Sequence, residues 1–170
     1  MLVVSELGWG RFGRLYETWS WFIVSANQRK FPLNPNNSEL LRLLRKLPLI
    51  VEDDPKRKIE KQEENRDRLL KRASSVFEDE KFLALYDASM RSLEIILLFH
   101  SLKFGDTPHR ILKDVVKFLN PNFRIDELVA KRHQIKKNQK TVDQKDLDQV
   151  RALEFLLANT LLKIRSELRD

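Results

Sequence analysis

The 170-residue chain contains no cysteine. Its absence excludes disulfide scaffolds, cysteine-rich zinc sites and thiol catalysis, and it fits a reducing compartment. Glycine is almost as scarce, with four residues, three of them at positions 8, 10 and 13. Strand-like alternation is hard to find, so the expected fold is all-α, a helical bundle of about six or seven helices. Long apolar runs are missing too. The longest, Leu93 to Phe99, is interrupted by Glu94 and falls far short of the roughly 20 residues that cross a bilayer. Met1-Leu-Val-Val4 is followed by Ser5 and Glu6 with no cationic leader or apolar core, so no secretory signal is expected and the protein reads as cytoplasmic, without a membrane partner.

What the chain does have is positive charge. Lys and Arg total 32 against 25 acids, a formal charge of +7, and a surface of that sign favours phosphate-bearing or acidic partners. Two regions hold much of it. From Lys56 to Arg72 there are eight basic and four acidic side chains, with only Ile59, Leu69 and Leu70 apolar. This helix is expected to be mostly solvated through i, i+4 pairs, or to lie along a charged partner. The second region is Leu128-Val-Ala-Lys-Arg-His-Gln-Ile-Lys-Lys-Asn138 and the basic turn to Lys140.

Punctuation along the chain places the other elements. Trp9, Phe12, Tyr16, Trp19 and Ile23 form one aromatic face at helical spacing, read as core or as a protein contact rather than a base-stacking platform. After the loop Phe31 to Asn36, Asn37 or Ser38 caps a helix through Leu44. Asp54 and Pro55 mark the start of the charged helix. A central helix is expected from Glu80 to Phe104, with Gly105 as its C-cap and Thr107-Pro108 opening the next. Asn120-Pro-Asn122 separates that helix from one over 126–137, and a last helix spans about Asp143 to Leu168. Residues 1–78 read as a charged and aromatic section packed on a bundle formed by 79–170.

The candidate site is the basic helix. Ile125, Leu128, Arg132 and Ile135 share one face, which sets a guanidinium inside an apolar stripe. It must be paired, with Asp126 or Glu127 as the nearest carboxylates, or it must face a partner or a phosphate. Lys131, Arg132, His133, Lys136, Lys137 and Lys140 are therefore the expected nucleic-acid-binding residues. His100, His109 and His133 have no spacing that joins two of them on one helix, so no metal site and no cofactor are expected. His109 reads as a first-turn surface residue and His100 as a half-buried one.

Three features carry a family resemblance. They are the apolar helix from Ala88 to His100, the loop ending Thr107-Pro-His109, and the Leu128-Val-x-x-Arg-His-x-Ile135 helix followed by a basic turn and a closing apolar helix. In this pattern the section from about Glu80 onward resembles the HEPN superfamily, small helical bundles of prokaryotic toxin–antitoxin and defence systems. The resemblance implies metal-independent RNA cleavage by an arginine and a histidine four to six residues later, paired across a dimer. Arg132 fits the arginine, but Lys137 stands where a four-residue gap puts the histidine. The proton-transfer group of that chemistry is missing, and catalytic residues are not assigned. The expected function is a non-catalytic RNA-binding protein acting as a homodimer or with a larger protein. The alternatives are an active ribonuclease using Arg132, His133 and Lys137, and a helical accessory subunit of a nucleic-acid enzyme.

Overall fold

The computed structural model describes residues 37–168, so the aromatic stretch from Trp9 to Ile23 lies outside it. In chain order the elements are α1 (Asn37–Leu44), β1 (Leu49–Val51), α2 (Pro55–Ala73), α3 (Glu78–Phe99), β2 (Leu102–Phe104), α4 (Pro108–Leu119), α5 (Ile125–Lys136) and α6 (Gln144–Glu167). Among the described residues the regular structure is helical but for two three-residue strands, which pair antiparallel with Leu49 opposite Phe104 and Val51 opposite Leu102.

Helix α3 is the axis of the bundle. Phe82, Leu85, Tyr86, Ser89, Leu93, Ile96 and Leu97 are buried on one face, and Ala84, Ala88, Ile95 and Leu98 are buried on the opposite side. A helix apolar around its circumference has to be covered on every face. Helices α2 and α6 run along it, with β2 and α5 against other parts of its surface. Each fully buried Leu or Ile stabilises this arrangement by roughly 2 kcal/mol relative to exposure. Glu78, Asp79 and Glu80 supply negative charge at the first turn of α3, where the helix dipole favours it. Asp79 Oδ1 also accepts a bond from the Val142 backbone N–H at 2.9 Å, which ties the turn before α6 to the start of α3.

The central helix stops sooner than its apolar pattern suggests. Ser101 adopts a left-handed backbone, φ 56°, and takes the position usually given to glycine after a helix end. The His100 and Ser101 amides donate to the Leu97 and Leu98 carbonyls. Leu102 to Phe104 then leave as β2. Gly105 is consequently not the cap of α3. It follows the strand, where a Cβ would lie 3.1 Å from the Pro48 carbonyl oxygen, so a close approach of two backbones accounts for the glycine.

Glu52 fastens this sheet to the bundle. Its buried carboxylate pairs with Lys58 of α2 and with Lys103 of β2 at 3.3 Å, and accepts from the Asp54 N–H at 3.2 Å. Lys58 first, then the Asp54 amide and Lys103, hold the carboxyl at about 2 against the opposing effect of burial.

Helix α2 finds its charged partners inside the same chain. Ile59, Gln62, Arg66, Leu70 and Ala73 recur every three or four residues and are buried or half-buried, so the covering face is partly polar. Gln62 donates to Glu94 of α3 at 3.1 Å and accepts from Arg91 at 3.2 Å. Glu63 pairs with Arg165 of α6, and Arg72 with Glu80 of α3 at 3.4 Å. Only Arg68 and Glu64 form an ion pair within the helix. The expectation of a mainly solvated helix is thus corrected for one face, because α3 needs a cover there and charged side chains provide it.

The deepest of these contacts is Arg66 with Glu154 of α6. Nη2 lies 3.8 Å from Oε1, longer than a hydrogen bond, and neither carboxylate oxygen has a hydrogen-bond partner. Burial pushes the Glu154 carboxyl from 4.5 up to about 8. Between those values the folded state retains a proton that the unfolded chain releases. The stabilising effect is complete below about 4.5 and is lost as pH rises through about 8. Urea unfolding across this range should show wild-type stability falling with pH, and Glu154→Gln should lose less over the same interval. Parallel curves for the two proteins would contradict this account.

Candidate nucleic-acid interface

Helix α5 begins with Asp126 and Glu127 and ends with His133 and Lys136. That charge order matches the helix dipole, negative at the N-terminus and positive at the C-terminus. Ile125, Leu128, Val129 and Ile135 are buried and fix which way the helix faces. After Lys137, Asn138 takes φ 53°, a left-handed conformation that asparagine tolerates well. The turn and the dipole together gather the basic side chains at one end of the helix.

Arg132 points inward, to neither of the two carboxylates nearest in sequence. Asp126 pairs with Lys113 and Lys117 of α4 at 3.1 and 2.7 Å, and Glu127 with Arg124. Arg132 instead reaches α3. Nη2 is 3.6 Å from Asp87 Oδ1 with the arginine side chain only 11% exposed, and its guanidinium carbon lies 5.0 Å from the centroid of the Tyr86 ring. Charge pairing and a cation–π contact both favour this seat. The Arg132 Nε is buried without a hydrogen-bond partner. A second subunit is therefore not required to balance the guanidinium, since Asp87 does so within the chain.

Lys131 is also committed. Its Nζ lies 2.8 Å from Asp146 Oδ2, with both side chains largely covered. Asp146 belongs to a reciprocal cap of α6. Its amide donates to Asp143 Oδ1 at 2.8 Å, and the Asp143 amide donates to Asp146 Oδ2 at 3.0 Å. Burial raises the Asp146 pKa, but the Asp143 amide and Lys131 outweigh it, and the net direction is down.

Two histidines that sequence spacing keeps apart come together across helices. His109, half-buried at the start of α4, has its Nδ1 3.0 Å from the Tyr86 hydroxyl. Its ring stands edge-on to that of exposed His133, with centroids 5.5 Å apart. Burial first, and the Arg132, His133 and Lys136 charges after it, lower the His109 pKa, with Asp87 opposing. Burial likewise raises the Tyr86 pKa, so this hydroxyl stays protonated. His109 is thus not the surface residue that its place in a first turn suggests. The signal that could have joined it to His133 was the tyrosine one helical turn before Ser89 and Met90, whose hydroxyl needs a partner once buried. Sequence spacing within helices carries no such information.

Lys136, Lys137 and Lys140 remain. All three are exposed, and none enters an ion pair among the described residues. Of the six residues expected to bind nucleic acid, the structure places these three and His133 at the surface and turns Lys131 and Arg132 inward. Among the described residues no cluster of His, Asp and Glu could hold a metal ion, and no helix is long and apolar enough to cross a membrane. Compared with family models, curated proteins and solved structures, the chain matches none.

These placements separate structural from surface residues. Replacing Arg132 by glutamine should lower unfolding stability by about 1–3 kcal/mol, and Asp143→Ala should cost about 1 kcal/mol through removal of the cap. Lys137→Gln should leave stability unchanged. Chemical denaturation of the three variants checks the ordering, and an Arg132 variant as stable as wild type would mean that the guanidinium is not held by Asp87 and Tyr86.

Proposed function

We propose that the protein binds RNA without cleaving it, through the exposed basic end of α5 and the turn that follows. The observation that supports this most directly is the contrast between Lys136, Lys137 and Lys140, exposed and outside any ion pair among the described residues, and the adjacent Lys131 and Arg132, both tied to carboxylates. Unpaired lysines grouped at a helix C-terminus hold a positive potential to which a phosphodiester backbone is complementary.

Two features favour binding over cleavage. Lys137 stands where a HEPN-like ribonuclease carries its histidine, and an ammonium group has no lone pair with which to take up a proton. The His109 and His133 rings touch edge to face, which leaves no space for a phosphorus atom between them. An in-line displacement needs its proton donor and acceptor on opposite sides of that atom. Phe77 at the start of α3, 90% exposed, and the exposed Ile50 and Val51 of β1 add apolar surface of the kind that protein partners cover. The proposed setting is accordingly a homodimer or a larger assembly, in the manner of the defence or toxin–antitoxin bundles that the sequence resembles.

The test is a titration with single-stranded RNA at two salt concentrations. Replacing Lys136, Lys137 and Lys140 by glutamine should weaken binding and flatten the dependence on log salt by roughly 0.7–0.9 for each phosphate that is no longer neutralised. Unchanged affinity and slope would remove this surface from consideration. In the same experiments the RNA should be recovered intact after prolonged incubation without metal, and light scattering on the isolated protein reads the assembly.

A further inference from the structure

The lysines account for tracking a backbone, but the cluster beside them is built differently. Three helices contribute to it. Tyr86 and Asp87 come from α3, His109 from α4, and Arg132, His133 and Lys136 from α5. The Arg132 guanidinium sits over the Tyr86 ring, the Tyr86 hydroxyl holds His109 Nδ1, and His109 is in edge contact with His133. His133 and Lys136 are three residues apart on α5 and so neighbours on its surface. Among the described residues Asp87 is the acid whose charge acts on His109, and it already engages Arg132 at 3.6 Å.

A site of this composition has more hydrogen-bond donors than one phosphodiester requires. Asp87 balances Arg132, so the net charge of the group rests on Lys136, and the two imidazoles add ring N–H donors beyond what a single diester uses. A diester offers a single negative charge. A phosphate monoester at a strand end offers up to two, and its second ionisation, near pH 6, falls in the same range as that of imidazole. It is the ligand that can exchange a proton with His109 and take bonds from several donors at once.

Building on the RNA-binding reading, we infer that His109, His133 and Lys136 form a subsite for the terminal phosphate monoester of an RNA strand, with Arg132 behind them, paired to Asp87. Tyr86 has a positioning role: its hydroxyl at Nδ1 fixes the His109 ring and leaves Nε2 as the nitrogen available to a ligand. The Lys137 and Lys140 side chains then follow the strand away from its end. Because burial first, and then the Arg132, His133 and Lys136 charges, disfavour the protonated form of His109 in the free protein while Asp87 opposes them, a dianion placed against the ring favours its protonation. Binding at a pH slightly above neutral takes up protons from solution.

The experiment uses the full chain and one single-stranded RNA sequence prepared in three forms, with a 5′-phosphate, with a 3′-phosphate, and with hydroxyls at both ends. Calorimetric titrations are run in buffers of differing ionisation enthalpy, so that proton uptake is read from the same data. One phosphorylated form should bind about tenfold more tightly than the hydroxyl-ended form, the effect of about 1.4 kcal/mol from an added charge-assisted hydrogen bond, with proton uptake confined to that form. Which end gives the preference assigns the polarity of the strand. His109→Gln, which retains a group able to bond Tyr86, should abolish the preference while leaving the affinity for hydroxyl-ended RNA unchanged, and His133→Gln, in the exposed basic end of α5 itself, should abolish the preference whatever it does to that affinity. Equal binding of all three forms would overturn the subsite and leave the RNA-binding reading standing. A preference that survives both histidine substitutions would also overturn it. Binding of none of the three would overturn both.

Discussion

The fold is governed by the circumference of α3. A helix that buries Phe82, Tyr86 and Leu93 on one face and Ala84, Ala88, Ile95 and Leu98 on the opposite one cannot rest against a single neighbour, and its burial dictates where the other elements lie. Helix α6 is apolar enough to serve as one cover, through Val150, Leu153, Leu157 and Leu161. Helix α2 is not. It covers its side with Gln62 and Arg66 among few apolar groups, and the buried Glu154 is the counterpart of that composition. The polar seam adds little net stability, because desolvation of a charged pair offsets most of its attraction.

Apolar periodicity was enough to locate α3, α4, α5 and α6 to within a few residues, because the 3.6-residue repeat is a property of each helix alone. Proline and asparagine marked the breaks at Pro55, Pro108 and Asn120 for the same reason. The end of α3 was hidden. Leu102 and Phe104 continue the apolar pattern, and only pairing with residues fifty positions earlier turns them into a strand. The left-handed Ser101 gives no signal, since glycine was the residue to look for. In α2 the charges were visible, but the helix faces that they join were not.

For the candidate site, spacing located α5 and its interrupted apolar stripe but only part of how its side chains are placed. That Arg132 interrupts an apolar stripe follows from spacing. That Asp87, forty-five positions earlier, receives it does not, and Asp126 was available in sequence but taken by Lys113 and Lys117. The same competition withdraws Lys131 from the surface. A formal charge of +7 therefore overstates the positive surface in some places and understates how sharply it is concentrated in others. Pairing removes cations from the inner face of α5 and leaves those at its end.

Asp146 has a place in this network that single substitutions will misrepresent. One carboxylate closes the reciprocal cap of α6, and the same oxygen receives Lys131 from α5. The effects of replacing Lys131, Asp143 and Asp146 will not sum, since each removal alters what the others still hold. In evolutionary terms the three positions are epistatic. Loss of Lys131 leaves both cap bonds in place but leaves the Asp146 carboxylate without that counter-charge, whereas loss of Asp146 removes one cap bond and the ion pair together. The exposed lysines a few residues away stand outside this network, and the effects of replacing them on stability are independent of it.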